Sequence, residues 1–204
     1  MIKVAVAKGH LFADALALFA KAGWHFDEDA VSGRQLISTA KTGDLQLLQA
    51  RPWDVSEYVT AGAADLGVVG RDVLVEKDPA VIQLIDLGVG ACRLVLAGPL
   101  GTEQLRHGMT CATKFPSTTA RYFRERGVHV HLIKLYGSVE MAPATGLSDI
   151  ISDLTATGRS LKENGLVEID TILSSTAYLI ANPAYYRLDY GAVRSVVDRL
   201  NQNR

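Results

Sequence analysis

The residues best suited to chemistry lie in one stretch, Asp153 to Leu161, which follows the apolar pair Ile150-Ile151 and leads into a helix-compatible segment. Small hydroxylic residues and a glycine allow successive backbone N–H groups to turn toward one anion, and a helix start adds partial positive charge. Asp153 cannot bind phosphate, but its carboxylate can accept hydrogen bonds from sugar hydroxyls or from water on Mg2+. The stretch predicts a site for a phosphorylated sugar, although an ordinary polar turn uses the same residues.

Further candidate residues follow other predicted strands, at the carboxyl end where open α/β sheets place their ligands. They are Lys8, Gly9 and His10 after Ile2 to Ala7, Arg51 after Leu45 to Gln49, Gly70 and Arg71 after the segment from Asp65 to Val69, and Lys114 after Met109 to Ala112. Each cation is costly to desolvate unless it is paired with an anion. Several scattered cations in a nearly neutral protein therefore indicate a ligand with many phosphates, and a pyrophosphorylated sugar phosphate fits.

Local patterns also predict the elements that carry these residues. Asp54, with Glu57 three residues on, is typical of a helix start, and Asp72 is expected to cap a helix from Val73 to Glu76. Strict alternation from Val128 to Leu132 predicts a half-buried strand with His129 and His131 on its polar face. A solvated face explains these histidines better than a two-histidine metal site, which would need a third ligand.

Composition bounds the class of protein. The chain has 204 residues, 48% of them hydrophobic, and 21 basic against 22 acidic residues give a net charge of -1. We therefore expect a soluble globular protein with no nucleic-acid partner and no membrane association. Cys92 and Cys111 match no metal or disulfide spacing, and the N-terminal apolar run is too short for a signal sequence, so a cytoplasmic location is the default.

Two nucleotide-binding motifs are excluded. Gly88-x-Gly90 lacks the third glycine of a dinucleotide fingerprint, because Arg93 stands in its place, and no Walker-type motif occurs.

Several longer motifs carry a specific resemblance. They are Lys8-Gly9-x-Leu11-Phe12, the segment from Gly62 to Gly70, Cys92-Arg93-Leu94, Ala112-Thr113-Lys114-Phe115-Pro116, the segment from Lys134 to Glu140, and Thr157-Gly158-x-Ser160 continuing to Leu166. Together they resemble, nearly end to end, the catalytic subunit of the ATP phosphoribosyltransferase family.

The resemblance implies a fold and a reaction. The fold would be α/β, with two domains like a type II periplasmic binding protein around a ligand cleft: 1–90 plus 177–204 as the first, and 91–176, with the phosphoribosyl pyrophosphate loop, as the second. The reaction would transfer phosphoribosyl from phosphoribosyl pyrophosphate to the adenine ring of ATP, with substrate-bound Mg2+, as the first step of histidine biosynthesis.

The same resemblance implies roles for the candidate residues. Arg34 and Lys8 would be catalytic, and no protein ligand to Mg2+ is assigned. Phosphoribosyl pyrophosphate would be bound by Asp153, Thr155, Ala156, Thr157, Gly158, Arg159 and Ser160. ATP and pyrophosphate would be bound by Lys8, Gly9, His10, Arg51, Asp65, Gly70, Arg71, Lys114 and Glu140.

Two features depart from the family's usual pattern. His10 stands where the family usually has arginine, so an arginine fork to phosphate is lacking there. The chain also has the length of the short form, which implies a homodimer, and a hetero-octamer with a regulatory subunit resembling histidyl-tRNA synthetase.

Two other functions share parts of the pattern. Purine-salvage phosphoribosyltransferases have a similar loop but usually carry a second acid beside the first, where this chain has Leu154. A non-catalytic binding module of the periplasmic type would share the fold, but would not explain a phosphate loop with scattered cations.

Overall fold

The computed structural model describes residues 1–27 and 35–203. They form two compact units: unit 1 contains Met1–Leu74, Asp78–Gly90 and Thr176–Arg204, and unit 2 contains Val75–Lys77 and Ala91–Ser175. The division expected from sequence differs at two places, since 75–77 belongs to unit 2 and Thr176 to unit 1.

Strands and helices alternate along most of the chain. In order, the described strands are β1 (Ile2–Ala7), β2 (Ile37–Thr39), β3 (Leu45–Ala50), β4 (Leu66–Gly70), β5 (Ile82–Asp86), β6 (Cys92–Pro99), β7 (Thr110–Thr113), β8 (His131–Lys134), β9 (Ile150–Thr155), β10 (Leu166–Ser175) and β11 (Ala177–Ala181). The described helices are α1 (His10–Lys21), α2 (Pro52–Thr60), α3 (Arg71–Lys77), α4 (Pro116–Glu125), α5 (Arg159–Glu163), α6 (Pro183–Leu188) and α7 (Tyr190–Asn201), with a 3-10 helix at Val139–Met141.

Unit 1 is built on a sheet with the strand order β2-β3-β1-β4-β11-β5. Strands β1, β3 and β4 are parallel, and β11 runs antiparallel to its neighbours β4 and β5. Val4 and Val6 pack in one core with apolar residues of α1 and α7, while Ala5 and Ala7 pack in another with residues of α2 and α3. Because both faces are covered there, β1 is a continuous apolar run from Val4 to Ala7 rather than an alternating one.

Unit 2 is built on a sheet with the strand order β10-β6-β9-β7-β8. Strand β7 runs parallel to both β8 and β9, and β6 runs antiparallel to β9 and β10. One face packs against the 3-10 helix and α5 through residues such as Val139 and Leu161, and the other packs against α4 through Tyr122 and Phe123.

Two predicted helix starts are wrong. Helix α2 begins at Pro52 rather than Asp54, because proline's fixed φ and missing N–H suit the first helical position. Helix α3 begins at Arg71, with Gly70 as its N-cap, and Asp72 is a buried residue of the first turn.

The strand predicted for residues 128–132 is also wrong in its bounds. Strand β8 begins at His131, where pairing with β7 starts. His129 and His131 are exposed, and the His129 N–H donates to Nδ1 of His107 at 3.2 Å. Among residues 1–27 and 35–203, no group of three or more His, Cys, Asp or Glu side chains is arranged to hold a metal ion. No helix in the same ranges is long and apolar enough to cross a membrane.

Candidate active site

One group of candidate residues lies at the edge of unit 1 where the parallel strands β1, β3 and β4 end. Ala7 is paired with Ala50, and the Lys8 N–H donates to the Ala50 carbonyl at 2.9 Å, so Lys8 and Arg51 leave adjacent strands side by side. Arg71 follows β4, the neighbour of β1 on its other side. All three cations are exposed at this edge.

Three helices begin at the same edge. Helices α1, α2 and α3 start directly after β1, β3 and β4, and their N-cap residues, Gly9, Arg51 and Gly70, make no side-chain cap hydrogen bond. Gly9 has φ 94°, a backbone conformation that L side chains rarely adopt, and the exposed His10 begins α1. The partial positive charge of the three helix starts adds to the cations and favours a bound anion.

Two predicted residues do not join this group. Asp65 precedes β4 and lies at the opposite end of the sheet, where its Oδ2 accepts the Lys3 N–H at 2.8 Å and its own N–H donates to the Lys3 carbonyl. Because β1 and β4 run parallel, Asp65 before the start of β4 lies at the opposite edge of the sheet from Lys8, which follows the end of β1. Arg34 lies outside the described residues.

A second group lies at the carboxyl ends of the parallel strands in unit 2. Thr113 of β7 is paired with Ser152 of β9, so the next residues along the chain, Lys114 and Asp153, come from neighbouring positions at this edge. Burial raises the pKa of the Asp153 carboxyl, and the charge of Glu140 raises it further, whereas the Leu154 N–H and Lys114 lower it. Asp153, Glu140 and Lys114 are thus within electrostatic reach of one another.

The predicted phosphate loop continues from Asp153 at the same edge. The Thr155 hydroxyl accepts the Gly158 N–H at 2.8 Å and the Thr157 hydroxyl accepts the Arg159 N–H at 3.4 Å, which holds the loop in a tight turn. Gly158 adopts φ 75° just before α5. The loop residues Ala156, Thr157 and Ser160 are exposed.

Arg159 points along its helix. Its Nε donates to Oε1 of Glu163 at 2.7 Å, an i,i+4 pair in which the two side chains are 83% and 60% exposed. The Arg159 guanidinium is thus paired with a carboxylate of its own helix.

Sequence reasoning missed two residues near this edge. Glu76 accepts hydrogen bonds from Ser117 and Thr118, partners 41 and 42 residues away, which no local pattern indicates. Tyr136 follows β8 and is 81% exposed, with Nζ of Lys134 at 5.4 Å from the centre of its ring. Tyr136 lies within the motif from Lys134 to Glu140, and that motif is the sequence feature that could have indicated it.

Comparison with known proteins decides the family. The family described as HisG, ATP phosphoribosyltransferase, matches residues 51–202. The ATP phosphoribosyltransferase of Moorella thermoacetica is 46% identical over 211 residues, covering 99% of this chain and 92% of that protein. The one from Bacillus subtilis is 38% identical over 201 residues, covering 98% and 94%.

The chain belongs to the ATP phosphoribosyltransferase family. This membership confirms the expected activity, transfer of phosphoribosyl from phosphoribosyl pyrophosphate to the adenine ring of ATP, giving phosphoribosyl-ATP and pyrophosphate in the first step of histidine biosynthesis. It decides against both a purine-salvage enzyme and a non-catalytic binding module.

Solved structures confirm the predicted fold. A chain of the ATP phosphoribosyl transferase (HisG:HisZ) complex from Thermotoga maritima superposes with a TM-score of 0.84 at 38% identity, covering 99% of this chain and 98% of that one. The periplasmic aliphatic sulphonate binding protein SsuA from Escherichia coli superposes with a TM-score of 0.62 at 14% identity, covering 99% and 72%. The second likeness concerns the fold alone, and it is the type II periplasmic-binding-protein fold expected for this ATP phosphoribosyltransferase.

Proposed function

We propose that the carboxyl edge of unit 2 binds the phosphoribosyl pyrophosphate used by this ATP phosphoribosyltransferase. The observation that carries the proposal is the half-buried Asp153 carboxylate, within electrostatic reach of Glu140 and followed directly by the tight loop from Thr155 to Ser160. Loop N–H groups suit the 5-phosphate, and Asp153 suits the ribose hydroxyls. Burial and a neighbouring acid destabilise an ionised carboxylate. Hydrogen bonds from the ribose hydroxyls would stabilise it.

Mg2+ fits this edge as a substrate-bound ion. It is typically held by one or two carboxylates together with substrate phosphates, and Asp153 and Glu140 are carboxylates of that kind at the proposed sugar site. When bound, Mg2+ neutralises charge on the pyrophosphate. Asp153 and Glu140 would hold the ion or its water molecules.

The cationic edge of unit 1 would hold the phosphates of ATP and the departing pyrophosphate. Lys8, Arg51 and Arg71 are exposed there beside three helix starts, with Gly9, His10 and Gly70 forming the intervening backbone. On the edge of unit 2, Lys114 is the cation proposed to contact substrate phosphates. Arg34 is retained as a catalytic cation from the family resemblance, whereas Asp65 is left out because of its position.

The reaction needs little acid–base catalysis. A ring nitrogen of adenine is an uncharged nucleophile, so displacement at the anomeric carbon needs no strong general base. Stabilisation of the leaving group dominates the barrier, and one lost contact of this kind costs about 3 kcal/mol, or about a hundredfold in rate. Lys8, with Arg34, would supply such contacts to the pyrophosphate as the bond breaks.

A partner subunit is part of the proposal. The Thermotoga maritima neighbour was solved as a HisG:HisZ complex. We propose that this chain forms homodimers in the cytoplasm and assembles with a regulatory subunit resembling histidyl-tRNA synthetase into a hetero-octamer. Sensitivity to histidine would reside in that partner, and inhibition of the purified chain by histidine would contradict this.

The decisive experiment is a reaction of the purified chain with ATP, phosphoribosyl pyrophosphate and Mg2+, with and without the partner. We expect release of pyrophosphate together with the absorbance change of phosphoribosyl-ATP. Asp153→Ala and Lys8→Ala should each abolish most of that signal, and Lys21→Ala, at the far end of α1, should retain it. Wild-type turnover by the first two variants would overturn the site assignment.

A further inference from the structure

The start of helix α4 is held by a carboxylate from a distant part of the sequence. Glu76 accepts hydrogen bonds from the Ser117 N–H at 2.8 Å, the Thr118 N–H at 2.8 Å and the Thr118 hydroxyl at 2.7 Å. Phe115 occupies the N-cap position of α4, and its own side chain makes no capping hydrogen bond. Glu76 therefore provides the cap, and it belongs to unit 2 together with α4.

This cap fixes one end of the loop 113–116, which joins β7 to α4 and carries Lys114. A chain of hydroxyls fixes the other end: the Thr113 hydroxyl lies 3.3 Å from that of Thr119, which donates to the Ser152 hydroxyl at 3.0 Å. All three side chains are fully buried. The residue after Ser152 is Asp153, so the loop is tied to the strand that carries the sugar-binding carboxylate.

The arrangement excludes one role for the helix start and favours another. A carboxylate already satisfies the first N–H groups of α4 and the positive end of its dipole, so a substrate phosphate has no place there. What remains for Glu76 is control over where the loop places Lys114. A misplacement of about 1 Å in a substrate-binding group is enough to cost on the order of a hundredfold in rate.

We propose that Glu76 is a positioning residue of this enzyme, which acts through Lys114. The inference rests on the proposed function, in which Lys114 contacts the bound substrates. It predicts that Glu76 matters for catalysis only while Lys114 is present.

A double-mutant cycle tests this directly. We expect Glu76→Ala to lower kcat/KM by about tenfold and Lys114→Ala by about a hundredfold, with the double variant no slower than Lys114→Ala alone. Glu76→Gln keeps an acceptor oxygen for the α4 N–H groups and should fall by about threefold or less. Glu125→Ala, on the last residue of the same helix, is the matched control and should behave as wild type.

Each other outcome has a defined meaning. If the two losses multiply in the double variant, Glu76 acts independently of Lys114 and the inference is overturned. If Glu76→Ala is folded, as shown by its circular dichroism and Tm, and keeps wild-type kcat/KM, the inference also fails. If Lys114→Ala itself keeps wild-type kinetics, the proposed role of Lys114 fails first, and the inference with it.

Discussion

The carboxyl edges of the two sheets occupy equivalent places in their units but differ in charge. In unit 1, Lys8, Arg51 and Arg71 are grouped with three helix starts whose N-cap residues make no side-chain cap hydrogen bond. In unit 2, two carboxylates, Asp153 and Glu140, accompany Lys114, and the start of α4 is capped by a carboxylate.

This difference in charge indicates which part of the substrates each edge suits. Helix starts grouped with cations favour phosphate groups, such as those of pyrophosphate. Carboxylates favour sugar hydroxyls and a phosphate-bound Mg2+. One topology therefore supports two chemistries, because the residues after each strand, rather than the strands, set the charge.

The largest expected effect comes from the cationic edge. Arg51→Ala should lower kcat by about a hundredfold, because one contact to the leaving pyrophosphate is lost. Arg51→Lys keeps the charge without the planar fork and should recover only part of the activity. Steady-state kinetics with both substrates measure this, and kcat unchanged in Arg51→Ala would remove the contrast between the two edges.

The acidic edge should respond differently. Asp153→Asn should raise the KM for phosphoribosyl pyrophosphate by about tenfold, since an amide is a poorer acceptor for sugar hydroxyls. Burial raises the pKa of Asp153 in the folded state, so stability is lost as pH rises from the ordinary aspartate pKa of about 4 to that raised value and stays lower above it, and the Asn variant should show a higher Tm at neutral pH. Lower Tm together with unchanged KM would contradict both parts.

The raised pKa of Asp153 also predicts a pH dependence. If the ionised form binds the sugar, kcat/KM for phosphoribosyl pyrophosphate should fall on acidification at a higher pH than an ordinary aspartate would allow. Asp153→Asn should lose this acid limb. Persistence of the same limb in the variant would assign it to another group.

A third acid of unit 2 should affect stability but not catalysis. Asp170 accepts the Tyr122 hydroxyl at 2.5 Å and a hydrogen bond from Arg126 at 3.1 Å, and the first of these chiefly lowers its pKa. Asp170→Asn should lower the free energy of unfolding by about 1 kcal/mol at neutral pH. Because the folded pKa is depressed, this contribution is present above about pH 4 and is lost as pH falls further, which urea unfolding at several pH values measures.

The smallest kinetic effect is expected at His10. His10→Ala should lower kcat/KM by about threefold or less, because an imidazole N–H at the start of α1 can donate a hydrogen bond to a phosphate oxygen. Equal kcat and KM for both substrates in the variant and the wild type would show that His10 makes no contact with the substrates.

Much of the fold, and the strand ends that carry the candidate residues, were predictable from local pattern. The largely apolar segment Ile2–Ala7 predicted β1, and the loop from Asp153 to Ser160, which was predicted as a phosphate site, forms a tight turn that begins at the end of β9. The start of α2 at Pro52 was missed because the capping pattern at Asp54 outweighed proline's preference for the first turn. Asp65 was misplaced because the direction of β4 was not used.

The sequence by itself determined the family, the reaction and the residues that follow each strand, since these are encoded in short, contiguous motifs. Only the tertiary structure decided which of those residues meet. It separated Asp65 from Lys8, brought Glu140 within electrostatic reach of Asp153, and capped α4 with Glu76. Strand direction and register bring residues together across long stretches of chain, and no local spacing carries that information.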